Sequence, residues 1–181
     1  MAGPIYLFIS SSPDLATERE ALGQAVAELP ISVGFEIMHT RPGETADINE
    51  TLAFVEQCDL YVIMLGSDFA APMGLEWQRS QTTLKPTLAY VKHELHSPSA
   101  QKLLRESGIT WAPFESPHTL KTHATQALAQ MILERGEMLG LHVEDVNGLL
   151  AVAGRMGEEP SEKPDRREGA GRGGIILGRE E

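Results

Sequence analysis

Two carboxylates stand where a sheet-based active site would need them. Asp68 lies in the loop after the apolar run at residues 60–65, and Glu76 follows near the start of a helix predicted over residues 75–82. A carboxylate beside a ribosyl carbon can stabilise or trap the positive charge that develops when a glycosidic bond breaks. Arg79 lies one helical turn beyond Glu76, so a helical ion pair worth ~0.2–0.5 kcal/mol is the structural alternative. The pattern leaves both interpretations open.

Three consecutive serines, Ser10, Ser11 and Ser12, precede Asp14 between the first strand and the first helix. Hydroxyls and free helical N–H groups at such a junction can hold a ribose or a phosphate. The alternative is that Ser12 or Asp14 caps the helix, and the motif alone favours capping. A nucleotide-binding glycine loop is not expected, because neither the P-loop glycines and lysine nor a GxGxxG pattern is present.

The other groups with chemical potential are histidines and one cysteine. His93 and His96 would share a helical face, but Pro98 limits any helix there and no third ligand is indicated, so a solvated loop and no metal are expected. Cys58 precedes a buried strand and is interpreted as a small core residue. As the only cysteine, it has no partner for an intrachain disulfide. No resident cofactor is expected.

Alternating strands and helices must position these residues. The runs at residues 5–10 and 60–65 are almost wholly apolar, which indicates strands buried on both faces. Right-handed crossovers then join parallel strands and place helices on both sides. The prediction is an α/β, flavodoxin-like, doubly wound parallel sheet of about five strands, whose ligands bind off the carboxyl ends near the reversal of strand order. The expected strands are residues 5–10, 33–38, 60–65, 87–91 and 109–112, and the helices after the first are residues 47–57, 75–82, 99–106, 120–139 and 142–156.

The expected organisation is an α/β domain over residues 1–140, a helical extension over residues 141–156 and a disordered tail over residues 157–181. The tail is rich in glycine, glutamate and arginine and has too little apolar surface to offset the entropy of ordering. Its exception is the apolar island Ile175-Ile176-Leu177 between glycines. The island could add a strand to a partner's sheet edge, or it could be an accident of cloning or of the gene.

Charge and hydropathy limit the classes of partner. Fifteen basic residues against 26 acidic ones give a formal net charge of −11. Because nucleic-acid phosphates are bound by clustered lysines and arginines, no nucleic-acid partner is expected. The longest apolar runs fall far short of the ~20 residues of a membrane helix. The N-terminus also lacks a basic stretch followed by a hydrophobic one. A cytoplasmic location without membrane association is expected.

Three stretches together resemble the domain-of-unknown-function family 4062. They are residues 6–20 with the Ser-Ser-Ser-Pro-Asp turn, residues 56–66 with the third strand, and residues 74–79 followed by Lys85-Pro86. The resemblance implies a TIR-like fold related to nucleoside deoxyribosyltransferases. In those relatives an acidic residue on a helix after the third or fourth strand acts on ribose C1′, and Glu76 matches it here. The resemblance also implies that Asp68 and the turn Ser10, Ser11 and Ser12 line the same pocket. Asp14, Gly66 and Phe69 are further candidate substrate-binding residues because they follow strands at the carboxyl edge of the sheet. Trp77 is a candidate for stacking on a base.

Two functions follow as hypotheses. The first is a TIR-like N-glycosidase that cleaves NAD or a related nucleotide in bacterial signalling or defence, with Glu76 as catalytic residue and Phe69 or Trp77 stacking on a base. The second is a non-catalytic module that senses a nucleotide or assembles with itself or with a partner effector protein. The first hypothesis requires that Glu76 and the serine turn face one shared cavity.

Overall fold

The computed structural model describes residues 3–40 and 47–154, which form a five-stranded, all-parallel sheet alternating with helices. The strand order β2-β1-β3-β4-β5 confirms the predicted flavodoxin-like α/β class. The elements are β1 Ile5–Ser11, α1 Ala16–Ala27, β2 Phe35–His39, α2 Ile48–Gln57, β3 Leu60–Leu65, α3 Ala71–Thr82, β4 Thr87–Lys92, α4 Pro98–Glu106, β5 Ala112–Phe114, α5 Pro117–Glu134, α6 Gly136–Leu139 and α7 Val143–Ala153.

The centre of the sheet is the pair β1 and β3. Every residue of β3 is buried, and in β1 only Tyr6 is half-buried, as the apolar runs predicted. Chain order reverses between these strands, because β1 leads outward to β2 whereas β3 leads to β4 on the other side. Their carboxyl ends are in register, with Ser10 opposite Ile63 and Ser11 opposite Met64. The loops that follow β1 and β3 therefore meet at the topological switch point.

Alternation along the strands sends side chains to two separate cores. One core packs against α1, α5 and α7 and includes Leu7 and Ile9 of β1; we call this side the α5 face. The other packs against α2, α3 and α4 and includes Phe8 of β1 and Tyr61 of β3; we call it the α3 face. Because successive side chains point to opposite sides of a strand, Ser10 joins the α3 face and Ser11 the α5 face.

Several predicted element ends were wrong, and prolines explain two of them. Helix α3 begins at Ala71 rather than at residue 75, with Pro72 in its first turn, where a missing N–H costs nothing. Strand β5 lies at residues 112–114 rather than 109–112. Phe114 C=O accepts from His93 N–H of the β4 side, so Pro113 faces the outer edge, where no donor is required.

The C-terminal helix α7 packs against α5, with Leu149 in the core of the α5 face. Asp145 joins it to the segment after α1, because its carboxylate accepts from the N–H and the hydroxyl of Ser32 (2.6 and 3.0 Å) and from His142 N–H (2.9 Å). The predicted tail at residues 157–181 lies outside the described residues. Within residues 3–40 and 47–154, none of the helices has the length and hydropathy needed to cross a bilayer.

Candidate functional site

Three elements bring Glu76 together with two hydroxyls. Ser10 Oγ, near the end of β1, donates to Glu76 Oε2 at 2.5 Å, and Thr40 Oγ1, just after β2, donates to the same oxygen at 2.6 Å. Thr40 is held there by its own N–H, which donates to Ile9 C=O at 3.1 Å. The carboxylate of α3 thus reaches the carboxyl ends of two neighbouring strands. Glu76 and Ser10 share one buried cluster.

Burial dominates the electrostatics of this cluster. Glu76 is 1% exposed, and removal of water from the carboxylate raises its pKa, while the hydrogen bonds from Ser10 and Thr40 oppose the rise without cancelling it. Both hydroxyls bind Oε2, and no described residue donates to Oε1. The site therefore holds an acid whose charged form is costly and whose second oxygen is not engaged by the described residues.

Tyr61 of β3 lies next to the same cluster, in the core of the α3 face. Its hydroxyl is buried and has no hydrogen-bond partner among the described residues, and burial raises its pKa far above the usual tyrosine range. Its ring stacks on Phe8, with 5.8 Å between centroids and 2° between planes, and meets the ring of Trp77 at 6.5 Å. The structure thus places Trp77 in the core packing around Tyr61.

A second set of predicted residues lies at the switch point and binds other protein groups. Ser12 Oγ accepts from Gly66 N–H at 2.9 Å and donates to Asp68 C=O at 2.6 Å. Asp14 accepts from Ser67 N–H at 3.0 Å. A Cβ on Gly66 would lie 2.6 Å from Asp14 Oδ2, so a larger residue here would displace the Asp14 carboxylate from its place beside Ser67 N–H. These bonds join the loops after β1 and β3 directly to one another.

The three serines therefore have three different partners. Ser10 binds Glu76, Ser12 binds the loop after β3, and Ser11 accepts from Arg19 Nη1 of α1 at 2.9 Å. The same Nη1 donates to Ser12 C=O at 3.2 Å. The capping alternative for Ser12 and Asp14 was wrong, since α1 has Leu15 at its N-cap and no side-chain cap.

Asp68 acts at the start of another helix. Its Oδ1 accepts from Phe69 N–H (2.8 Å), Ser97 Oγ (2.5 Å) and Ser99 Oγ (2.8 Å), which ties the loop after β3 to the first turn of α4. These three donors hold the pKa of Asp68 below its usual range. The half-buried ring of Phe69 lies beside Gly74 in the first turn of α3.

The structure shows what surrounds Arg79, Cys58 and the two neighbouring histidines. The predicted ion pair between Glu76 and Arg79 was wrong, because Arg79 pairs with Glu56 of α2. The core interpretation of Cys58 is confirmed: the thiol is buried, and burial raises its pKa to about 11. His93 and His96 lie outside helices, in the loop after β4, and His96 Nδ1 lies 2.9 Å from Gly66 C=O.

Sequence reasoning did not select Tyr61 or Arg19 as site residues, and it placed Thr40 in a candidate loop without assigning it a role. Thr40 carried a signal, because it follows a predicted strand at the carboxyl edge of the sheet. Tyr61 carried none, since it lies within an apolar run that any buried strand would show. Arg19 carried no signal because it lies in a charged stretch of α1, and charged residues on a helix ordinarily face solvent.

One protein-family model covers most of the chain, including these residues. A model described as Domain of unknown function (DUF4062) matches residues 6–131, which include both loops of the switch point and the whole Glu76 cluster. The chain belongs to this family. A search of the curated proteins finds no match.

Proposed function

We propose that this DUF4062 chain hydrolyses the N-glycosidic bond of NAD or of a related nucleotide, in bacterial signalling or defence, with Glu76 as its catalytic residue. The observation that carries the proposal is the buried contact of Glu76 with Ser10 and Thr40 at the carboxyl ends of β1 and β2. Carboxyl ends of strands are where open parallel sheets bind ligands. The resemblance of the chain to TIR-like modules and nucleoside deoxyribosyltransferases points to the same residue.

In the proposed reaction, the bond between ribosyl C1′ and the nicotinamide nitrogen breaks, and its electron pair stays with the nicotinamide, which leaves as a neutral molecule. Positive charge develops on C1′ and the ring oxygen. Glu76 offsets this charge through Oε1, while Ser10 and Thr40 hold Oε2 in place. Water then adds to C1′ and releases a proton, which leaves a free ribosyl hydroxyl on the product.

The remaining substrate contacts are proposed around the switch point. Ser11 and Ser12, with Asp14, Gly66 and Asp68, lie at or just after the carboxyl ends of β1 and β3, where we propose that they contact the ribose or the phosphates. Phe69 is better placed than Trp77 to stack on a base, because the ring of Trp77 already packs against Tyr61.

The experiment is incubation with NAD and a panel of nucleosides and nucleotides, followed by chromatography of the released base. We expect Glu76→Gln to lower the rate at least ~100-fold, as the loss of a charge that acts on the transition state does. Glu20→Gln, at an exposed position of α1, is the matched control and keeps the wild-type rate. Retained turnover by Glu76→Gln, in a variant with the wild-type melting temperature, would remove Glu76 from the mechanism.

The pH profile adds an independent check of the same role. Only the ionised carboxylate can offset the ribosyl charge, and burial raises the pKa of Glu76. The rate should therefore fall on acidification at a pH above the ordinary glutamate pKa of ~4.3.

A second candidate is a non-catalytic module that senses a nucleotide and assembles with itself or with a partner effector protein. The observation that favours it is that Ser12, Asp14 and Asp68 all bind other protein groups. Light scattering with and without NAD separates the candidates, since assembly without release of base supports the module.

A further inference from the structure

Strand β5 covers only part of the edge of β4. The register joins residues 90–92 of β4 to residues 112–114, whereas β4 begins at Thr87. Pro86 C=O accepts from Tyr61 N–H of β3, so main-chain groups of even-numbered residues along β4 face β3 and those of odd-numbered residues face away. The N–H groups of Thr87 and Ala89 therefore point to the open edge. No described residue accepts from either.

A groove of about 300 Å³ runs between this open edge and α5. Leu88 of β4 and Ala127 of α5 give it an apolar lining, and Gln126 of α5 lies at its side. Tyr90 also lines the groove, and its buried hydroxyl has no hydrogen-bond partner among the described residues. The groove thus offers an apolar surface beside main-chain and side-chain donors that lack acceptors.

Strand β5 pairs with the last residues of β4 only, and the chain before β5 leaves the first part of the β4 edge unpaired. The pairing of β5 with β4 begins at Ala112, and neither Ile109 nor Trp111 has a register partner in β4. Pro113 faces the outer edge of β5 and supplies no N–H there, which makes that edge a poor template for another strand. Among the described residues on this side of the sheet, the open part of β4 is thus the better place for strand addition.

The tail of the same chain contains a segment that suits such an edge. Ile175-Ile176-Leu177 is a run of apolar residues, two of them β-branched, between glycines. Helix α7 ends at Ala153 after packing along α5, which forms one wall of the groove. The 20 residues from 155 to 174 span up to ~66–72 Å when extended. Helix α5, with 18 residues, is only ~27 Å long, so the tail has ample reach.

We propose that Ile175-Ile176-Leu177 binds in this groove as a short strand, pairing with Thr87 and Ala89 in line with β5. Its main-chain carbonyls accept from the two open N–H groups, and its side chains cover the apolar lining. Because the segment belongs to the same chain, its effective concentration at the groove is high and independent of protein concentration. The function of the Glu76 site is not required for this contact.

Amide hydrogen exchange of the full-length protein, read residue by residue by NMR, tests the contact. We expect the amides of Thr87 and Ala89 to exchange at least ~10-fold faster in Ile175→Asp/Leu177→Asp than in the wild type, because local protection scales with the stability of the pairing. The amide of Leu88 faces β3 and should be unchanged, which makes it an internal reference. Ala170→Asp/Gly171→Asp adds the same charge to the tail outside the segment and should retain wild-type protection.

Two outcomes would overturn the proposal. Equal exchange of Thr87 and Ala89 in all three proteins would show that the segment does not cover this edge. Protection that grows with protein concentration would show pairing between copies and would overturn the same-chain contact.

Discussion

Asp68 and Glu76 follow the same strand, yet the fold treats them in opposite ways. Asp68 is exposed and accepts from three donors, which lower its pKa. Glu76 is almost fully buried and accepts from two hydroxyls, which do not offset the loss of water, so that its pKa is raised. The number of hydrogen-bond donors and the degree of burial decide whether the pKa of each carboxyl is raised or lowered. The position along the chain does not.

This contrast separates the predicted residues that stabilise the fold itself from Glu76. Asp68 fixes the start of α4, and Ser12 and Asp14 join the two loops at the switch point. These contacts are complete without a ligand. Glu76, by contrast, has an oxygen that no described residue binds and a charge that its surroundings penalise. Buried ionisable groups with shifted pKa values are concentrated at functional sites. Carboxylates whose hydrogen bonds are all made within the protein are common in purely structural positions.

Ser12→Ala should give the largest loss of stability, since it tests the structural half of this comparison. The substitution removes the acceptor of the buried Gly66 N–H and the donor to Asp68 C=O. An unsatisfied buried group of this kind costs ~1–3 kcal/mol, so we expect a decrease of about 2 kcal/mol in the free energy of unfolding by urea titration.

Ser99→Ala is the matched control for that loss. It also removes a serine hydroxyl, but from an exposed position and from an acceptor that keeps two other donors. A change within ~0.5 kcal/mol is expected. If Ser12→Ala is no less stable than Ser99→Ala, the bonds across the switch point do not hold the two loops together.

The sheet could be predicted because its determinants are local. The buried runs of β1 and β3 and the helical spacing between them mark the elements without knowledge of the fold, and the right-handed crossover rule then limits the topology. Strand β5 could not be placed correctly, because Pro113 in an edge strand is acceptable only when its side of the strand faces away from β4. That fact depends on tertiary pairing.

The candidate site was predictable only in part for the same reason. The rule for carboxyl ends brought Glu76 and Ser10 into consideration, and the structure joins them across 66 positions of the chain. Thr40 binds the same oxygen from 36 positions away, a contact that no local spacing encodes. The unpartnered hydroxyl of Tyr61 likewise emerges only when β3 is packed against α3.

Glu76→Gln tests the effect of burial through the pH dependence of stability, a measurement that requires no activity. Below the ordinary glutamate pKa of ~4.3 the carboxyl is protonated in both the folded and the unfolded chain and carries no charge penalty. As the pH rises through the raised pKa of the folded state, the unfolded chain ionises more readily, so the wild type loses stability. The variant should lack this loss in urea titrations between pH 4 and pH 8, whereas Glu20→Gln should follow the wild type.

Asp68→Asn should produce the smaller effect, with the opposite sign. Because the pKa of Asp68 is lowered in the folded state, its carboxylate contributes stability above the ordinary aspartate pKa of ~3.9, and the contribution is lost as the pH falls through the lowered value. The variant should thus be less stable than the wild type at pH 7 and should converge with it in acid. The effect is small because the site is exposed and water screens its charge.

Urea midpoints measured for both variants over one pH series should diverge from the wild type in opposite directions as the pH rises. Two shifts of the same sign would contradict the assignment of burial to Glu76 and of donor binding to Asp68 as the deciding causes.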